Sequence, residues 1–569
     1  MTDNQAVKLI IMFFHFIAMV GFSLIWLLPS SSMARNTTAS RLIEQPRTLS
    51  GINNANSQPF VLPPIDSKVL GMAKPTSIII RIKDVIFSGN TVFSATELHN
   101  LAEPFLDRDL DASALEELRY RISQHYLRLG YLNSGAVLPS QNLQNRILHI
   151  HIVEGRLSTL QVQGEGWLHP DYLRKRLTNN KPFNVKTLQQ RYLQLLNDPL
   201  IEHLNGNLKP LPTLGESALE LKVTRALPYQ LALHLNNYNP PSIGAEQMQV
   251  EAWLRNLTRW GDKLDFRFDL SQGAANYSGG WAIPITSDDT LFDFHFETGR
   301  TSVIEEPLGQ VDISSYVNNF TWSLSHPFYR DIDQSILLGV GFSSRNNQTQ
   351  LMGRDFSFVE GLATGQSKTT ALRFFQEYLG RFERHAVALR SSFSVGIDTF
   401  GATIQKSENT PDSQFFAWLG QLQYAYKLLD NGAQLRLHGN LQLSTEPLLP
   451  QERIAIGGVY SVRGYRENEL VRDNGYSASI ELAYPLLTPD DHLFGQLTLV
   501  PFMDFGSAWN VAEASETLHA IGGGLNWQLA KHLKADFYYA YALKAAPRKT
   551  SHDLQDAGIF FNLSLLAFE

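Results

Sequence analysis

Few residues in this 569-residue chain are spaced for chemistry. His149 and His151 sit one residue apart, on one face of an expected strand, and could ligate a metal. Two histidines so placed more often simply face solvent, and no metal is expected. Asp288-Asp289 and Asp490-Asp491 fall in turn-like segments, where solvation accounts for them better than calcium binding does. There is no cysteine, so disulfides, thiol catalysis and cysteine-ligated zinc are excluded. The sequence holds no G-x-S-x-G elbow, no H-E-x-x-H helix and no G-x-x-x-x-G-K-S/T phosphate loop. We therefore expect no enzyme, no cofactor and no nucleotide. A net charge of −7 gives no footprint for nucleic acid.

The remaining chemistry is electrostatic. Ile454–Gly475 is glycine-rich and carries three arginines against three carboxylates. At its centre stands Val462-Arg463-Gly464-Tyr465. An arginine beside a glycine suits a loop tip that tucks into a tight place. Glycine takes backbone angles other residues avoid, and a guanidinium holds a carboxylate through two parallel bonds. Asp504, in Phe502-Met503-Asp504-Phe505-Gly506, is the candidate partner. About eighteen residues separate the preceding apolar segment from Arg463, a reach of about 60 Å when extended. The competing reading leaves Asp504 a solvated residue and Arg463 a surface arginine.

What positions these residues is a long run of alternating segments. From Tyr229 onward, Leu264, Phe266, Phe268 and Leu270 alternate with Lys263, Asp265, Arg267 and Asp269. Phe292, Phe294 and Phe296 alternate with Asp293, His295 and Glu297, and the pattern recurs to the C-terminus. Period two means one face avoids water while the other meets it. Sixteen segments can be marked: 229–238, 245–256, 263–271, 277–285, 290–299, 316–325, 335–343, 368–378, 385–397, 416–427, 433–444, 475–484, 496–505, 518–528, 533–543 and 557–568. At about nine to thirteen residues they are long enough for tilted membrane strands and long for a soluble sheet. Aromatics near their ends (Trp281, Trp322, Tyr329, Trp418, Trp509, Trp527) suit the two lipid interfaces. Loops alternate imperfectly between short (428–432, 530–532) and long (344–367, 445–474). The expected architecture over 227–569 is an antiparallel transmembrane β-barrel in outer-membrane lipid. The loop 445–474 then enters an aqueous lumen, where Lys263, Asp265, Arg267, Asp269 and Glu297 line the wall.

The length allows two to four domains. Leu9–Leu28 is apolar, follows Lys8 and precedes Ser32-Met33-Ala34. It reads as a signal peptide over 1–34, with an uncleaved anchor as the alternative. Residues 35–76 are rich in Asn, Ser, Pro and Thr and read as a linker with at most a weak helix near 38–44. Two α/β repeats follow, 77–154 and 155–226, each ordered strand-helix-helix-strand-strand. In the first, a strand is expected over 78–87. Ser94 and Glu97 form a capping box. A helix over 111–129 carries Leu115, Leu118, Ile122, Tyr126 and Leu129 on one stripe and stops at Gly130. Strands follow near 136–138 and 146–153, the latter with Ile147, His149, His151 and Val153 on one face. The second repeat places helices near 170–177 and 185–196 and strands at 157–164, 205–210 and 218–223.

Val462-Arg463-Gly464-Tyr465 with Phe502-x-Asp504-x-Gly506 resembles the paired signature of the BamA-like outer-membrane superfamily. There the arginine of the loop between strands 11 and 12 docks on an aspartate of strand 13. The repeats resemble POTRA domains. Two of them before a sixteen-stranded barrel resembles the two-partner secretion transporters (TpsB, haemolysin-activator type). The resemblance covers about residues 77–569. Gly558-x-x-Phe561-x-Leu563, with Phe568, resembles the assembly signal read by the barrel assembly machinery, although this chain ends Phe568-Glu569. Nor does 35–57 show the plug helix that some relatives place in the pore. The resemblance implies a Gram-negative outer-membrane pore whose POTRA domains take an unfolded partner exoprotein, haemolysin- or adhesin-like, from the periplasm to the cell surface. The alternatives are an insertase for other barrels and a passive porin or adhesion barrel.

Overall fold

Two small α/β domains lead into a closed β-barrel. The computed structural model describes residues 79–567, apart from 144, 165, 179–181, 363, 408–409, 489–494, 531 and 546–551. The expected signal segment, the linker 35–76, Asp490-Asp491 and Phe568 lie outside the described residues.

In the first domain the expected strand over 78–87 is split. Ile80–Arg81 pairs with Asp109–Leu110, whereas Asp84–Ser88 runs parallel to the central strand Ile147–Val153. The chain changes partners at one step, because Ile82 C=O accepts from Asp107 N–H while Lys83 N–H donates to Arg146 C=O. Helix α1 (Ala95–Ala102) is capped by Ser94, whose hydroxyl accepts from Glu97 N–H at 3.1 Å. Only half of the expected capping box forms, since the Glu97 carboxylate turns to His125 instead. Helix α2 (Ala112–Arg128) starts at the Asp111 cap and buries Leu118, Ile122 and Tyr126. Leu115 is partly buried, but Leu129, beyond the last helical residue, is exposed. Gly130 follows with φ +95°, a left-handed turn that glycine adopts without a Cβ clash. The central strand buries Leu148, Ile150 and Ile152, so His149 and His151 face outward, His151 Nδ1 lying 3.0 Å from Ser88 Oγ.

The second domain repeats this order. Arg156–Gln163 is followed by helices α3 (Asp171–Leu177) and α4 (Val185–Leu196), then by Ile201–Pro210 and Glu216–Arg225. Glu216–Arg225 is central, parallel to the first strand and antiparallel to its hairpin mate. Each domain has its own apolar core. Hydrogen bonds join the two, from Val185 N–H to Gly130 C=O and from Asn184 Nδ2 to Leu129 C=O.

Sixteen spanning strands follow. The last, Ile559–Ala567, pairs antiparallel with the first, Tyr229–Asn236, and closes the wall. Exposed Phe292, Trp322, Val340, Phe374, Ile480 and Phe537 face the lipid. Lys263, Asp265, Arg267, Asp269 and Glu297 line the lumen as the alternation requires. Strands six and seven, Ile313–Arg330 and Gln334–Leu351, are 18 residues each and far exceed the expected 316–325 and 335–343. Residues 343–350 (SSRNNQTQ) are polar on both faces, so alternation ends there while the ladder of hydrogen bonds continues. The segment 344–367 therefore begins as strand, to Leu351, and a short strand Arg354–Asp355 folds back on that end.

The second α/β domain sits directly on the barrel's first turns. Arg259 donates to Leu168 C=O at 2.8 Å, and His169 stacks on Trp260 at 3.8 Å. Asp289 accepts from both Arg176 of α3 and Arg330 of the sixth strand, so it is a junction residue and not a solvated turn aspartate.

Candidate functional site: the loop in the barrel lumen

The loop between the eleventh spanning strand (Gln434–Ser444) and the twelfth (Asn474–Leu487) folds inward. It is a small hairpin in its own right, with Ile454–Ile456 paired to Leu470–Arg472. Its apolar residues pack on the wall. Ile454, Ile456, Val462, Tyr465 and Leu470 form one buried cluster with Ala508, Leu518 and Ala520 of strands thirteen and fourteen. Small wall residues make this approach feasible. A Cβ on Gly506 would lie 2.7 Å from side-chain carbons of both Ile456 and Val462. Gly464 turns the tip with φ +90° and leaves its own Cα facing Ala540.

Arg463 and Asp504 meet as the sequence suggested, at 4% and 0% exposure. Asp504 lies on strand thirteen, Gln496–Trp509. Arg463 Nε and Nη2 each donate to one Asp504 oxygen at 2.8 Å, and the Arg463 backbone N–H donates at 3.0 Å. Ser479 Oγ donates to Asp504 Oδ1 at 2.6 Å and accepts from Arg463 Nη2. Glu481 Oε1 lies 2.8 Å from Arg463 Nη1. The guanidinium stacks on Phe502, 3.4 Å from the ring centroid. One arginine thus meets two carboxylates, an aromatic face and a hydroxyl. A bidentate, stacked site of this kind discriminates strongly against lysine. Tyr465 Oη reaches the backbone oxygens of His519 and Lys544 at 3.0 and 2.9 Å, fixing the tip against strands fourteen and fifteen.

Four anchors were not anticipated. Ser479 and Glu481 could have been found by alternation, because strand twelve runs beside strand thirteen and places both on the lumen face. Glu452, at the loop's root, is buried between Arg345 and Arg373 at 3.0 and 2.8 Å. Arg453 pairs with Asp473 at 3.0 Å and clasps the two ends of the loop together. No spacing rule links these residues. Beneath the loop a cavity of about 410 Å³ remains, and Glu251, Asp265, Asp269, Glu297, Arg373 and Arg390 are among the residues that line it. At the C-terminal end, Gly558 is left-handed (φ +71°), Phe561 pairs its backbone with Asn237, and Leu563 faces the lipid.

A family model described as haemolysin secretion/activation protein ShlB/FhaC/HecB matches residues 215–529, more than half of the chain. The chain belongs to this family. A model of the ShlB-type POTRA domain matches residues 80–155. The outer membrane transporter CdiB of Escherichia coli (strain 536) is 24% identical over 444 residues, covering 76% of this chain and 73% of that protein. The heme/hemopexin transporter protein HuxB of Haemophilus influenzae is 21% identical over 462 residues, covering 76% and 78%. The solved structure of CdiB from Escherichia coli superposes with a TM-score of 0.67 at 20% identity, covering 90% of this chain and 94% of that one. This family member is accordingly an outer-membrane transporter that secretes a partner protein, and it is not an enzyme. Its barrel crosses the outer membrane and its POTRA domains stand in the periplasm.

Proposed function

We propose that the POTRA pair captures an unfolded partner exoprotein of the haemolysin or adhesin kind and hands it to the barrel. The barrel conducts it to the cell surface once the loop centred on Arg463 leaves the lumen. The observation that carries this reading is a conduit filled by a segment held through side-chain contacts. The docked loop packs Ile454, Ile456, Val462, Tyr465 and Leu470 on strands thirteen and fourteen and ties Arg463 to Asp504 on the lumen wall, so it stands in the path of a chain crossing the barrel. A passing chain and the docked loop compete for the same space, which makes the loop a gate.

Capture is supported by the second POTRA sheet. Among the described residues, Arg156–Gln163 is bonded on one side only, to Glu216–Arg225. Its other row of N–H and C=O groups suits an extended client that adds a strand. Main-chain pairing tolerates many sequences, as an unfolded partner requires. Folding of the partner outside would bias diffusion outward. Gly558, Phe561, Leu563 and Phe568 serve as the signal to the barrel assembly machinery during biogenesis. The test is deletion of residues 77–224. Export of the partner is expected to stop while the barrel still inserts, and intact export would overturn the reading.

A further inference from the structure

Arg466 follows the four-residue tip directly, yet it points away from Asp504. Its guanidinium is buried, at 6% exposure for the residue. Nε and Nη2 donate to the two oxygens of Asp556 at 2.6 Å each, and Nη1 donates to Glu305 at 2.6 Å. This bidentate pair reaches a site quite separate from strand thirteen. Asp556 belongs to a short helical turn, Leu554–Ala557, immediately before the last spanning strand. Gln555 of the same turn is fully buried. It accepts from Glu467 N–H of the loop at 2.9 Å and donates to Asn237 C=O and Asn239 C=O at 2.6 and 2.7 Å.

Asn237 and Asn239 follow the first spanning strand. The turn at Gln555-Asp556 therefore touches the loop, the exit of the first strand and the start of the last. Among the described residues the seam between those two strands is the shortest in the wall. It has six registered pairs, from Asn562↔Asn236 to Ala567↔Leu231, fewer than any other two spanning neighbours share among the described residues. Beyond one backbone bond, from Asn237 N–H to Phe561 C=O at 3.3 Å, its outer end is completed by side chains. Asn237 Oδ1 accepts from Phe561 N–H and Asn237 Nδ2 donates to Ile559 C=O, both at 2.9 Å.

We propose that Arg466 is a positioning residue that staples the outer end of the barrel seam to the loop, so that a loop leaving the lumen releases the first and last strands together. This rests on the gating role given to the loop above. Two carboxylates on separate segments, Glu305 before strand six and Asp556 before strand sixteen, converge on one arginine of the loop. When the arginine departs, Asp556 and Glu305 lose their shared counter-charge and Gln555 loses the Glu467 N–H. The seam's outer hydrogen bonds then stand on Asn237 and Gln555 without support from the loop.

The test is amide hydrogen exchange on the full-length transporter in lipid, with partner export measured in parallel. Arg466→Ala and Asp556→Asn are expected to speed exchange at Ile559–Asn562 and Asn237 about tenfold or more. Strands eight to ten should stay at the wild-type rate, and Arg466→Lys should fall between. Unchanged seam exchange in both variants would overturn the staple, as would a uniform rise across all strands in both. The two readings separate through Arg463→Ala. If that variant exports normally while Arg466→Ala still loosens the seam, the gating reading fails and the staple stands.

Discussion

Replacing Arg463 by alanine removes the only cation that bonds Asp504 directly through its side chain among the described residues. Asp504 keeps Ser479 Oγ and the backbone N–H at position 463, but its negative charge stays in a site with no exposure. Glu481 loses the same guanidinium. Truncating one partner of a buried pair costs about 3–5 kcal/mol. The stacking on Phe502 adds about 0.5–2 kcal/mol. Water entering the lumen offsets part of this, so about 3 kcal/mol is the working figure. At 1.4 kcal/mol per tenfold, the undocked fraction of the loop should rise about a hundredfold. Single-channel recording in planar bilayers reads this directly, as longer and larger open events than in the wild type. Amide exchange at Ile454–Ile456 and Leu470–Arg472 should accelerate in step. Asp504→Ala should act similarly, and both variants should impair secretion while the barrel remains inserted. The double variant should cost less than the sum, because it leaves no unpaired carboxylate at 504. Wild-type conductance, exchange and export in Arg463→Ala would refute the reasoning.

Two further perturbations act elsewhere. Gly506→Ala leaves every charge in place but puts a Cβ 2.7 Å from Ile456 and Val462 carbons. It should cost about 1–3 kcal/mol of docking and open the channel as Arg463→Ala does, and unchanged traces would show that wall packing does not hold the loop. Glu154 closes the first POTRA domain by accepting from Thr91 N–H, Val92 N–H and Tyr126 Oη at 2.7, 2.8 and 3.1 Å. Burial raises its pKa, but these bonds together with the Thr91 hydroxyl outweigh that and hold it below the ordinary 4.5. A lowered carboxylate contributes stability that is present above the unfolded value and is lost as pH falls through the folded one. Exchange at Thr91 and Val92 should therefore rise relative to the rest of the domain below about pH 4.5. Glu154→Gln should abolish that dependence.

The barrel was legible because lipid on one side and water on the other impose a period of two that runs through sixteen segments. It was illegible where both environments are water. Strands six and seven outgrow the membrane at Ser343–Gln350, and there only hydrogen bonding marks them as strands. The POTRA repeats were legible from helix caps and stripes, but the partner change at Ile82–Lys83 depends on the Asp107 N–H and the Arg146 C=O, both distant in sequence. The Arg463–Asp504 pair was legible through a resemblance. Glu452 with Arg345 and Arg373, and Arg466 with Asp556 and Glu305, were not. Those contacts join segments about 80–160 residues apart, and a charged residue in a polar loop looks the same whether it is solvated or buried against its partner. Asp289 was misread for the same reason.

The central claim is that the partner passes through the lumen that the loop now occupies. A photo-crosslinking side chain placed at Asp265, on the lumen wall, and at Val340, which faces lipid, tests it in cells that are secreting the partner. An adduct between transporter and partner is expected at 265 during export, none at 340, and the 265 adduct should be lost when residues 77–224 are deleted. Active export with no adduct at 265, or with equal adducts at both positions, would contradict it.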